Sequence, residues 1–74
     1  MNISKISQAR IDVLQTIESL SVRQALIQQC VDAIDIEDTP WLVQRSLRLI
    51  NEHLKNQILD ASVMLGSIVA EMQS

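Results

Sequence analysis

Aromatic residues, cysteine, glycine and proline are almost absent from this sequence. Its 74 residues include one each of Trp, Cys, Gly and Pro, and neither Phe nor Tyr. The single cysteine, Cys30, excludes an intramolecular disulfide framework. Because residues that break helices are rare while 47% of the chain is hydrophobic, the composition predicts an all-α protein with an aliphatic core.

Positive charge is also scarce, since nine Asp and Glu residues outnumber six Lys and Arg residues and give a net charge of −3. This balance disfavours a broad contact with nucleic acid or an anionic membrane, because both require dense basic residues. The N-terminal residues lack the apolar core of a signal peptide, and the longest apolar stretch, Ile58 to Ala70, is interrupted by Asp60 and too short to cross a bilayer. We therefore expect a soluble cytoplasmic protein without a membrane partner.

Apolar spacing predicts a single helical domain over residues 1–74, in which two shorter helices are followed by one long helix. The first helix is expected over about residues 4–19, where apolar residues recur every three or four positions. Ser21 followed by Gln24 has the spacing of a capping box and predicts a second helix over about residues 22–34. Thr39 before Pro40 is a favourable cap and first turn, so the third helix is predicted over about residues 40–72.

The long helix carries the strongest pattern, a stripe that advances by threes and fours. Its period of roughly 3.6 residues favours a nearly straight helical bundle over a long coiled coil. A break near residues 56–60 is the alternative to one continuous helix. The stripe consists of Val43, Leu47, Ile50, Leu54, Ile58, Ala61, Leu65, Ile68 and Met72.

The C-terminal half of that helix is also apolar on the side away from the stripe, at Leu59, Val63, Gly66 and Ala70. A helix with two apolar faces packs between neighbours, and a chain this short needs reinforcement. The sequence therefore predicts a homodimer that completes the bundle. The predicted interface comprises Ile58, Leu59, Ala61, Ser62, Val63, Leu65, Gly66, Ile68, Val69, Ala70 and Met72.

No pattern in the sequence indicates catalysis, a cofactor or a metal. The acidic group around Asp35 lacks the glycine of a calcium-binding loop. His53 has neither a Glu nor a His three or four residues away, as a helical metal site requires. Cys30 lies in an apolar stripe, where a cysteine behaves as a small hydrophobic residue. We predict a non-enzymatic protein with no cofactor.

Trp41, the one aromatic residue, is the candidate contact for another protein. One interpretation is that Trp41 clamps the acidic loop before it onto the second helix. The other is that it forms part of a binding hot spot, where Trp is enriched. The candidate partner surface comprises Asp35, Glu37, Asp38 and Trp41.

These observations favour a protein–protein interaction module, a small regulatory adaptor or inhibitor that acts as a homodimer on an unidentified protein partner. The alternative is a small DNA-binding transcriptional regulator that would use Arg45, Arg48 and Lys55 along one edge of the long helix. Glu52 lies among these basic residues at the spacing that pairs with Arg48, which favours an ordinary salt-bridged surface.

Overall fold

The computed structural model describes residues 3–34 and 38–73, which form a hairpin of two antiparallel helices. Helix α1 spans Ile3–Ala33 and helix α2 spans Trp41–Gln73. The overall extents of 55 × 14 × 14 Å are those of two helices lying side by side. The described ranges contain no strand, so the prediction of an all-α chain is confirmed.

The prediction of two separate short helices before the long one is wrong. Helix α1 continues through residues 19–22, and Ser21 is an exposed residue in its middle. The side chain of Gln24 does not return to a helix start but donates a hydrogen bond across to Asn51 of α2 (3.0 Å). Because neither Gly nor Pro occurs in this stretch, nothing in the local sequence terminates the helix.

Helix α2 begins directly after Thr39 and Pro40 and runs unbroken across residues 56–60. The backbone N–H of Gln44 donates to the Pro40 carbonyl (3.0 Å), and the Gln44 side chain donates to the Thr39 carbonyl (2.7 Å). A proline suits this position because its fixed φ matches the helix and its missing N–H has no intrahelical partner to lose.

Each helix contacts the other through a row of residues that advances by alternating steps of three and four positions. We call this row the seam of the helix. This spacing is the seven-residue period of a coiled coil, so the expectation of a straight 3.6-residue stripe is wrong. In α2, Gln44 and Asn51 lie in the seam, whereas their neighbours Val43 and Ile50 are exposed. The seam of α2 consists of Gln44, Leu47, Asn51, Leu54, Ile58, Ala61, Leu65 and Ile68. That of α1 includes Ile6, Val13, Ile17, Leu20, Gln24, Ile27 and Val31, and Ile34 continues it just after the helix ends.

Amide side chains occupy the seam near the closed end of the hairpin. Asn51 is only 5% exposed, and its amide group donates to the side-chain oxygen of Gln28 (2.9 Å) while accepting from Gln24 (3.0 Å). Gln28 in turn donates to a carboxylate oxygen of Asp32 (2.9 Å). Among the described residues, every buried side-chain nitrogen or oxygen has a partner. These directional bonds fix the register of α1 against α2, which apolar contacts alone define less strictly.

We expect Asn51→Ala to destabilise the chain by about 1 to 3 kcal/mol, because the substitution removes both hydrogen bonds that join Gln24 and Gln28 to α2. Urea unfolding followed by circular dichroism at a fixed protein concentration measures this change. Asn56→Ala is the matched control, since Asn56 is exposed on the same helix. Equal unfolding midpoints for the two variants would contradict the role given to Asn51.

Candidate functional site

The most unusual feature of the hairpin is the amount of apolar surface that it leaves exposed. Of the described residues, only Ile34 and Leu54 are buried apolar side chains, at 3% and 8% exposure. Thirteen large apolar side chains are exposed: Ile11, Leu14, Val22, Leu26, Trp41, Leu42, Val43, Leu49, Ile50, Leu59, Val63, Met64 and Met72. Single exposed apolar residues are ordinary, whereas contiguous groups of them are typical of interaction surfaces.

The predicted dimer interface on α2 divides into two groups. Ile58, Ala61, Leu65 and Ile68 lie in the seam and are half-buried against α1 within the chain itself. The other residues include the exposed Leu59, Ser62, Val63, Gly66, Ala70 and Met72, with Val69 half-buried between the groups. Part of the apolar surface that suggested a dimer is therefore covered by the hairpin. No heavy atom lies within 4 Å of the position that a Cβ on Gly66 would occupy, apart from its own helix backbone and chain neighbours.

A second group of exposed apolar residues lies on α1. Val22 and Leu26, four residues apart, are 57% and 58% exposed. Ile11 and Leu14, about two to four turns earlier, are exposed on the same side of α1. The signal that could have revealed this surface is a second apolar stripe, offset from the seam when residues 3–33 are read as one continuous helix.

Trp41 lies at the closed end of the hairpin and is 66% exposed. The loop that it was predicted to clamp falls largely outside the described residues. Its ring contacts the guanidinium group of Arg45, which lies 5.7 Å from the ring centroid. A shallow groove beside the ring is lined by Trp41, Gln44, Arg45, Arg48, Leu49 and Glu52. The surroundings of the tryptophan on α2 are thus basic rather than acidic.

The acidic members of the candidate partner surface are only partly described. Asp38 is exposed just before α2, whereas Asp35 and Glu37 lie outside the described residues. Among the described residues, the carboxylate of Glu52 pairs with Lys55 (3.9 Å) instead of with Arg48 as the spacing suggested. Both partners are largely exposed, so this pair contributes little to stability.

Cys30 and His53, the other residues with reactive side chains, do not form a site. Cys30 is exposed rather than packed in an apolar stripe, and His53 is exposed on α2. The described part of the chain holds no group of three His, Cys, Asp or Glu side chains that could bind a metal ion. Neither helix, over its described length, is apolar and long enough to cross a membrane.

Comparison of this chain with protein-family models, with curated proteins and with solved structures found no match.

We expect Trp41→Ala to leave the fold intact and to change the free energy of unfolding by no more than about 1 kcal/mol, the value of an exposed contact between an arginine and a ring. Because Trp41 is the sole aromatic residue, its fluorescence reports this site alone. Acrylamide should quench that fluorescence strongly in the folded protein. Weak quenching together with a large loss of stability in Trp41→Ala would mean that the ring is buried.

Proposed function

We propose that this chain is a non-enzymatic protein–protein interaction module, a small regulatory adaptor or inhibitor that works as a homodimer. The observation that carries the proposal is the area of its surface. A globular monomer of 8.3 kDa exposes about 4,600 Å². This chain exposes 5617 Å². The excess of about 1,000 Å² is close to the roughly 800 Å² that each partner buries in a standard protein–protein interface.

The composition of that surface supports the same proposal. The exposed surface carries thirteen large apolar side chains among the described residues, nine on α2 and four on α1. A two-helix hairpin of this size has a small core and marginal stability, and small scaffolds commonly gain stability by association. Other molecules of the same chain are always present in the same solution, so self-association is the most direct way to cover these side chains.

We expect light scattering to report a dimer at micromolar protein concentration, because two-fold closure is the commonest symmetry of homo-oligomers. The thermal unfolding midpoint should rise with protein concentration, since association stabilises the folded state by mass action. A cooperatively folded monomer whose midpoint is independent of concentration would contradict the homodimer.

For the adaptor role, we propose Trp41 as an anchor for the unidentified protein partner. It is exposed, aromatic and close to the closed end of the hairpin. Immobilised protein should capture a partner from the source cells, and Trp41→Ala should capture less of it while remaining dimeric. The exposed Leu42→Ala provides the matched control on the same helical turn. Loss of capture in the control alone would place the anchor elsewhere.

A DNA-binding regulator remains the alternative function, with Arg45, Arg48 and Lys55 as its phosphate contacts. A mobility shift assay separates the two functions, because phosphate binding weakens steeply as salt concentration rises. A shifted DNA band at low salt that disappears at moderate salt would favour the regulator. Absence of a shift at low salt would favour the protein-interaction module.

A further inference from the structure

The groove beside Trp41 combines exposed apolar side chains with exposed positive charge. The Trp41 ring is 66% exposed and Leu49 is 58% exposed, while Arg45 and Arg48 between them in the helix are exposed as well. The groove has a volume of about 340 Å³. We call it the Trp41 groove, and it is lined by Trp41, Gln44, Arg45, Arg48, Leu49 and Glu52.

The positive charge of the chain is concentrated at the Trp41 groove. Residues 45–55 hold three of the six basic residues and one of the nine acidic residues, a net charge of +2, so the rest of the chain carries −5. Neither Arg45 nor Arg48 forms an ion pair with a described residue, since Glu52 pairs with Lys55 instead (3.9 Å). The groove therefore offers two guanidinium groups that a bound carboxylate can pair with.

The spacing of the three side chains defines what the groove can recognise. Trp41, Arg45 and Arg48 follow one another at steps of four and three residues, so they lie in a row on one side of α2 that is about 10 Å long. The guanidinium group of Arg45 already lies 5.7 Å from the centroid of the ring. Because this contact restrains Arg45 before anything binds, less entropy is lost on binding.

We propose that the Trp41 groove binds an acidic segment of the protein partner, in which a large apolar side chain packs on the Trp41 ring and two carboxylates contact Arg45 and Arg48. The inference rests on the proposed interaction module and states the chemistry of its partner. Two Asp or Glu residues one helical turn apart in the partner have the same spacing as the two arginines.

The charge distribution favours an acidic protein segment over a nucleic acid at the Trp41 groove. A nucleic acid carries a long row of phosphates, and those beyond the two arginines would approach a chain whose remaining charge is −5. Glu52 lines the groove, and Asp38 is exposed just before α2. A short segment with two carboxylates satisfies both arginines and avoids most of this repulsion.

Selection from a random-peptide library displayed on phage identifies the chemistry that the groove recognises. The library is selected on the full chain, and peptides that also bind the Arg45→Gln/Arg48→Gln double variant are removed. The remaining peptides should be enriched in Asp and Glu beside a large apolar residue. Peptides without this enrichment, or no peptide that distinguishes the two proteins, would overturn the inference while leaving the interaction module in place.

Affinity measurements test the two arginines directly. The probe is a selected acidic peptide without aromatic residues, and its binding is followed by the fluorescence of Trp41, the sole aromatic residue of the chain. Arg45→Gln/Arg48→Gln should raise the dissociation constant about tenfold, because two exposed ion pairs are lost. Added salt should also weaken binding, because it screens exposed charges.

Arg10→Gln/Arg23→Gln is the matched control, since it makes the same change in net charge at two exposed arginines of α1. It should leave the dissociation constant nearly unchanged. Equal losses of affinity in the two double variants would mean that the overall charge attracts the peptide, and the inference would be overturned.

A single-stranded oligothymidylate is the nucleic-acid probe, because its bases can stack on an exposed ring and its phosphates can contact arginines. We expect it to bind more weakly than the selected peptide at the same salt concentration. Tighter binding of the oligonucleotide, lost in Arg45→Gln/Arg48→Gln, would contradict the interaction module as well as this inference and would favour the DNA-binding regulator.

Discussion

Two helices can contact each other only along one line, and the rest of the structure follows from this constraint. Each helix is a cylinder about 10 to 12 Å across, so the contact with a single neighbour covers one stripe of its surface. In this hairpin the stripe buries Ile34, Leu54 and Asn51 and leaves the remaining seam residues partly exposed. Any further apolar residue on either helix must face solvent or another molecule. The exposed surface of the chain is therefore a consequence of having two helices rather than three.

Polar residues in and beside the seam reduce the hydrophobic stabilisation of the hairpin but define the register of its two helices. Gln24, Gln28 and Asn51 occupy positions where leucine or isoleucine would bury more apolar area, and their mutual hydrogen bonds hold the helices at one alignment. A polar residue in a coiled-coil core has this effect in general: it specifies register and partner at a cost in stability. A hairpin whose own seam is weakened in this way depends more on association with another surface. In the proposed homodimer, folding and self-association would therefore be coupled.

Much of the secondary structure could be predicted from the sequence, whereas the packing could not. Rare helix breakers indicated an all-α chain, and Thr39 with Pro40 marked the start of α2. The single helix α1 was missed because Ser21 and Gln24 have the spacing of a cap, although Gln24 serves as a seam residue. The set of α2 residues that faces α1 was also predicted incorrectly, for a related reason. Hydrophobicity favours Ile50 over Asn51 as the residue that faces the partner helix, yet the hydrogen bonds of Asn51 across the seam place its amide inside. Gln44 likewise lies in the seam in place of Val43, but its side chain donates to the Thr39 carbonyl of its own helix start.

The separation of the apolar surfaces bears on how an adaptor could work. Leu59 and Val63 lie in the C-terminal half of α2, whereas the exposed ring of Trp41 lies at the first residue of that helix. Trp41 follows the loop at one end of a rod 55 Å long. In the proposed homodimer, contacts through the C-terminal half of α2 would leave the ring of Trp41 exposed on each copy, so self-association would not compete with capture of a partner. The dimer would present two equivalent binding sites, and a partner with two matching segments would gain avidity only if it could span the distance between them.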